Sequence, residues 1–186
     1  AASCQELAYR RMYREAAVAW AEAGCQVHAI TLLADPADCL PPGFWRGMQF
    51  SNTAGVQLDY CEIGYGGGGA WSMLETWGSN VSINHCDIHH STATSGAIRL
   101  INTGITPAFR NSQVRDSNGY PIYQTTADMA PTYENLTFSG NTTDAVYLNG
   151  GTLNRNVTYD GKQLHGSPLI SGSTLTVNAG WTLTVN

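Results

Sequence analysis

Polar and apolar residues alternate along most of this chain with a period of two, and the alternating stretches recur. In the segments starting at Cys61, Cys86, Ser112, Leu136 and Val157, the first and third residues are apolar or small and the middle one is polar. The same alternation appears from Ile98 (IRL), Ile122 (IYQ) and Val146 (VYL). A period of two belongs to strands that bury one face. The units carrying these strands begin at Phe44, Trp71, Ile98, Ile122 and Val146, and a partial unit runs from Ile170 to Asn186. Repeats of about two dozen residues predict a solenoid, in which each unit buries its apolar face only against its neighbours. The expected architecture is all-β, about six coils of three short strands each, paired in parallel about 4.8 Å apart.

Stacked coils turn equivalent positions into columns. Cys61, Cys86, Ser112, Leu136 and Val157 form one inward column, and Ile63, Ile88, Val114, Phe138 and Tyr159 form the next. A third is expected through Trp71, Ile98, Ile122 and Val146. Just before the first column stand Tyr60, His85, Asn111, Asn135 and Asn156. Asparagine tolerates left-handed backbone angles, and its amide can bond to the copies above and below. Asn111, Asn135 and Asn156 are therefore expected to form a structural ladder.

Residues 3–24 follow a different rule. Tyr9, Met12, Tyr13, Ala16 and Trp20 recur at helical spacing, Ser3 and Glu6 form a capping box, and Gly24 sits where a helix ends. An amphipathic helix here would cap the open end of the solenoid. The chain is thus expected to divide into a cap region, residues 1–43, and repeats, residues 44–186.

The repeats resemble the right-handed parallel β-helix of the pectate-lyase-like superfamily. The stretch WRGMQF at Trp45–Phe50 is similar to a Trp-x-Gly-Ile-x-Phe opening of such repeats, and the closing TLTVNAGWTLTVN is similar to their Leu-Thr-Val coils. The resemblance covers about three quarters of the chain. It implies the fold and not an activity, because the same fold hosts lyases, hydrolases, epimerases, adhesins and inert spacers.

Composition narrows the partners. Only 12% of residues are charged, the net charge is −5, and Lys162 is the sole lysine, which argues against nucleic acid. No apolar run approaches the roughly 20 residues that span a bilayer. Fold class and a Lys-poor, Thr- and Asn-rich surface point to a secreted or cell-surface, bacterial protein. Sequons at Asn80, Asn135, Asn141 and Asn156 are not read as proof of glycosylation. Cys61 and Cys86 fall on an inward column. Among Cys4, Cys25 and Cys39, either Cys25–Cys39 or Cys4–Cys25 could be bridged, and spacing does not choose.

Three sets of residues could carry function. Asp87, His89 and Arg115 share one outward sheet, with Glu62, His90 and Asp116 close by, and could abstract a proton beside a uronate carboxylate held by the arginine. Such chemistry would make the chain a polysaccharide lyase or epimerase. Arg99, Tyr123 and Tyr147 form an outward column that could serve as a sugar platform. His85, His89 and His90 match no standard zinc spacing, so no metal and no cofactor is assigned. The last coil, with Leu175, Val177, Trp181, Leu183 and Val185, presents apolar strands that could template another copy. The reading favoured by the sequence is a structural or adhesive solenoid that self-associates end to end into a filament or matrix. A carbohydrate-active protein is the alternative.

Overall fold

The computed structural model describes residues 26–28, 41–52, 55–102, 105–160, 163 and 169–186. The expected helix over residues 3–24 and the cysteines Cys4, Cys25 and Cys39 lie outside the described residues.

The chain winds as a parallel β-solenoid. A short strand, β1 (Gln26–His28), precedes the regular coils. The first coil holds β2 (Met48–Ser51), β3 (Val56–Asp59) and β4 (Glu62–Gly64), and the second β5 (Leu74–Trp77), β6 (Val81–Asn84) and β7 (Asp87–His89). The third holds β8 (Ile98–Ile101), β9 (Ala108–Arg110) and β10 (Gln113–Arg115), and the fourth β11 (Ile122–Gln124), β12 (Thr132–Glu134) and β13 (Thr137–Ser139). Then follow the long β14 (Val146–Leu153), β15 (Val157–Tyr159), β16 (Leu169–Val177) and β17 (Leu183–Val185). Three sheets run along the rod, in the orders β1-β3-β6-β9-β12, β13-β10-β7-β4 and β16-β14-β11-β8-β5-β2, with β15-β17 a further pair. The longest sheet holds six rungs, joined by about five turns, in keeping with the roughly six coils expected from the repeats.

Register follows the side-chain columns. Ile63, Ile88, Val114 and Phe138 are paired in sequence across four strands, and all are buried. Cys61, Cys86, Ser112, Leu136 and Val157 are buried as well. Neither Cys61 nor Cys86 is in a disulfide, and the Cys86 thiol donates to the Leu58 carbonyl at 3.2 Å. Hydrogen bonding with Cys61, followed by burial, pushes the Cys86 thiol above its ordinary range. Leu58, Ile83, Phe109 and Tyr133 complete the core from the second sheet.

One column needs correction. The partner of Ile98 on the rung before it is Leu74, not Trp71, and Met48 precedes Leu74. Trp71 lies in the connection before β5, and its side chain is exposed. The aliphatic Leu74 packs fully inside the rod, while the wider indole stays outside. The WRG turn has a steric reason: at Gly47, with φ +153°, an added Cβ would fall 2.2 Å from the Ser72 carbonyl oxygen.

Turns flank each strand of the β4–β13 sheet with left-handed residues. Before the strands these are Tyr60, His85, Asn111 and Asn135, with φ of 56°, 55°, 48° and 50°. After them come Tyr65, His90, Asp116 and Gly140. Asn135 donates its amide to Asn111 Oδ1 at 3.0 Å, and Asn111 donates to Asn84 Oδ1 at 3.1 Å. Asn156 instead accepts from the Thr182 backbone N–H at 3.0 Å, outside that run of side-chain amides. One coil earlier, Tyr60 and His85 stack with ring centroids 4.7 Å apart.

A polar group sits within the core. Gln124 points inward from β11, and its Oε1 accepts hydrogen bonds from the buried Tyr133 and Tyr159 hydroxyls, each at 3.3 Å. The Gln124 amide nitrogen has no partner among the described residues. Burial pushes the Tyr159 phenol up to about 12 and raises that of Tyr133 well above its usual value.

Candidate functional site

The outer face of the β4–β13 sheet places Glu62, Asp87, Gln113 and Thr137 in one column and Gly64, His89, Arg115 and Ser139 in the next. His89 points outward yet is only 3% exposed. The cause is Gly64, its partner one coil earlier. A Cβ there would lie 2.3 Å from His89 Cε1, so the imidazole rests on bare backbone. Tyr65 meets the ring edge-on at 5.3 Å and stacks on His90 at 4.9 Å.

Both nitrogens of His89 are engaged. Nε2 is 3.1 Å from Glu62 Oε1, and Nδ1 is 2.8 Å from His90 Nδ1. A carboxylate can only accept, so neutral His89 donates through Nε2, and its Nδ1 accepts from His90 Nδ1–H. The hydrogen-bond network assigns these tautomers. The result is a Glu62–His89–His90 relay whose outer ring keeps Nε2 as an acceptor. Burial, and then the neighbouring His89, lower the pKa of His90, which favours its neutral form.

Arg115 is committed elsewhere. Its Nε and Nη2 grip Asp87 at 2.9–3.3 Å, and Nη1 donates to Asp116 at 2.9 Å. The hydrogen bond to Asp87 is the main cause of its raised pKa. Asp87, His89 and Arg115 are therefore brought together as the repeats predict, with the guanidinium already held between two acids. Glu62, Asp87 and Asp116 against one arginine leave the cluster net negative when the histidines are neutral. Such a surface repels a polyanion such as a polyuronate and attracts a cation. Beside it, an open depression of about 340 Å³ is lined by polar groups including Asp87, Asn111, Gln113 and Asn135.

The Arg99–Tyr123–Tyr147 column also forms, on the longest sheet. Tyr123 and Tyr147 stack at 4.4 Å and 12°, and the Arg99 guanidinium lies 5.8 Å from the Tyr123 ring centre. Tyr120 leans on Tyr147 at 4.7 Å. Sugar stacking needs a free ring face, and here the Tyr123 ring is taken up between Arg99 and Tyr147. Glu75, one rung before Arg99, has no counterpart in the sequence reading. Although outward-facing, it is 2% exposed, and it accepts from the Ser72 N–H and the Trp77 indole. Its position in the column was visible; the loop and indole that cover it were not.

In the final coil, Leu175 and Leu183 pack against the core, whereas Val177, Trp181 and Val185 are exposed. All four sequon asparagines are engaged with neighbouring coils: Asn80 with Thr106, Asn135 with Asn111, Asn141 with Val114, and Asn156 with Thr182.

The family model described as right handed beta helix region matches residues 43–182. No curated protein and no solved structure matches the chain.

Proposed function

We propose, since this chain belongs to the right-handed β-helix family, that it is a secreted or cell-surface structural solenoid, adhesive through association of its last rung with further copies. The observation that carries this reading is how the outward groups are used. Arg99 pairs with Glu75, Arg110 with Glu134, Arg115 with Asp87 and Arg155 with Asp128, in each case across neighbouring coils. Asparagine amides and tyrosine rings do the same. The exposed pairs among them, such as Arg110–Glu134, are worth only about 0–1 kcal/mol each, but such pairing repeated along a rod stiffens it. Val177, Trp181 and Val185 supply the exposed apolar contact.

Sedimentation across a concentration series tests the association. The native chain should form a concentration-dependent series of oligomers, and Trp181→Asp with Val185→Asp should abolish it. A native chain that stays monomeric at high concentration overturns the reading.

The polar depression over Asp87, Asn111, Gln113 and Asn135 favours a second reading, binding of a carbohydrate. The local charge selects neutral glycans over polyuronates, and the lyase or epimerase chemistry loses Arg115 as a free carboxylate clamp. Saturable binding of a neutral oligosaccharide that weakens on Asn111→Ala and Gln113→Ala would support it. Equal binding by those variants would sink it.

A further inference from the structure

We propose that Glu62, Asp87 and His89 form a binding site for a divalent first-row transition ion that ties the first coil to the second. One oxygen from each carboxylate and one nitrogen of His89 lie within 4.8 Å of one another. The acids are register partners on β4 and β7, and His89 shares β7 with Asp87, so the rigid rungs hold the donors without help from a loop.

Three observations distinguish this set from an ordinary acidic surface. First, the His89 ring is fixed before any ion arrives, because Gly64 seats it and Tyr65 walls it. Its Nε2 faces Glu62 directly. Second, the opposite nitrogen already meets a histidine partner, His90 Nδ1, at 2.8 Å. Metal-bound histidines characteristically bond their other ring nitrogen in this way, which fixes ring orientation and tautomer. Third, the surrounding charge is net negative, and Glu62 is 66% exposed at its side chain, free to swing and shorten the distances. Asp87 is steadied by the Arg115 fork and still has acceptor directions to spare, since a carboxylate offers about four. One imidazole and two carboxylates suit zinc and its neighbours. Calcium would need six to eight oxygens, which two carboxylates do not supply.

Binding has a proton signature. For two neutral rings, the hydrogen bonds place the His89 proton on Nε2 and the His90 proton on Nδ1 in the absence of metal. The ion takes His89 Nε2, so the His89 proton moves to Nδ1 and is donated to His90 Nδ1, whose own proton moves to Nε2.

The test is calorimetric titration of the chelator-stripped full chain with Zn²⁺, with Ca²⁺ in parallel, and long-range ¹H–¹⁵N spectra of the histidines. We expect one saturable Zn²⁺ site that weakens at least tenfold in Glu62→Gln, whose exposed position leaves folding intact. His90→Phe should weaken it by about 10–100-fold through loss of the orienting bond. The spectra should report the paired tautomer exchange. Zn²⁺ affinity unchanged in Glu62→Gln, tautomers that stay fixed on saturation, or tighter binding of Ca²⁺ than of Zn²⁺ would each overturn the site.

Discussion

Among the described residues, two outward faces of the same rod bury one polar side chain each, and they do it to opposite effect. On the longest sheet, Glu75 is enclosed by the Ser72 amide, the Trp77 indole and Arg99, so its bonding capacity is used internally. On the β4–β13 sheet, His89 is enclosed just as fully, but its bonds lead outward to an exposed carboxylate and a half-exposed second imidazole. Burial of an outward polar residue therefore does not mark a site by itself. What marks one is unused coordinating capacity at the solvent boundary.

Replacing Glu75 by Ala should break the first face most severely. It leaves the buried Ser72 N–H and the Trp77 indole without their acceptor, and each stranded donor costs about 1–3 kcal/mol. Urea denaturation would read this directly, and a loss under about 1 kcal/mol would mean the enclosure is looser than the geometry indicates.

The interior offers a comparison with both faces. Tyr159 has its folded-state pKa raised, so its neutral form is favoured in the fold. That contribution is complete below the ordinary phenol value of 10 and is lost as pH rises from 10 towards about 12. Stability should fall over that window, by on the order of 2–3 kcal/mol. Tyr159→Phe should flatten the fall, with tyrosine absorbance as the second readout.

On the His89 face, Gly64→Ala forces the imidazole off its seat, and overpacking of this kind costs about 1–3 kcal/mol. The same variant should lose the Zn²⁺ site, whereas Glu75→Ala, if folded, should keep it. Smallest of all, Glu62→Gln should change stability by less than about 0.5 kcal/mol, because one partner is well exposed. That asymmetry between Glu75 and Glu62 is the comparison in its sharpest form.

Much of this was legible in the chain. Period-two patterning placed Ile63, Ile88, Val114 and Phe138 on one inward line, and the same register set Asp87 and Arg115 a rung apart. Local chemistry explains the misses. Trp71 looked like a strand residue because it is large and apolar, yet the inward place three positions later goes to Leu74, which fits the narrow bore. The amide ladder reaches back to Asn84, on a strand, and not forward to Asn156, because side-chain reach and not repeat position decides the partner. The relay through His90 depends on a left-handed turn that brings its ring back beside His89, and no spacing rule reports that. Gln124 falls in the alternating pattern like any inward residue, and only the phenols of Tyr133 and Tyr159 make its burial intelligible.

The pairing of each group with its copy one coil away has a consequence for how such a chain can change length. A whole coil inserted between two others meets the same registers on both sides and extends the rod by about 4.8 Å, with no new kind of contact to invent. A fraction of a coil would shift every following column onto the wrong sheet. Growth of this molecule is quantised: its natural unit of variation is the turn, not the residue.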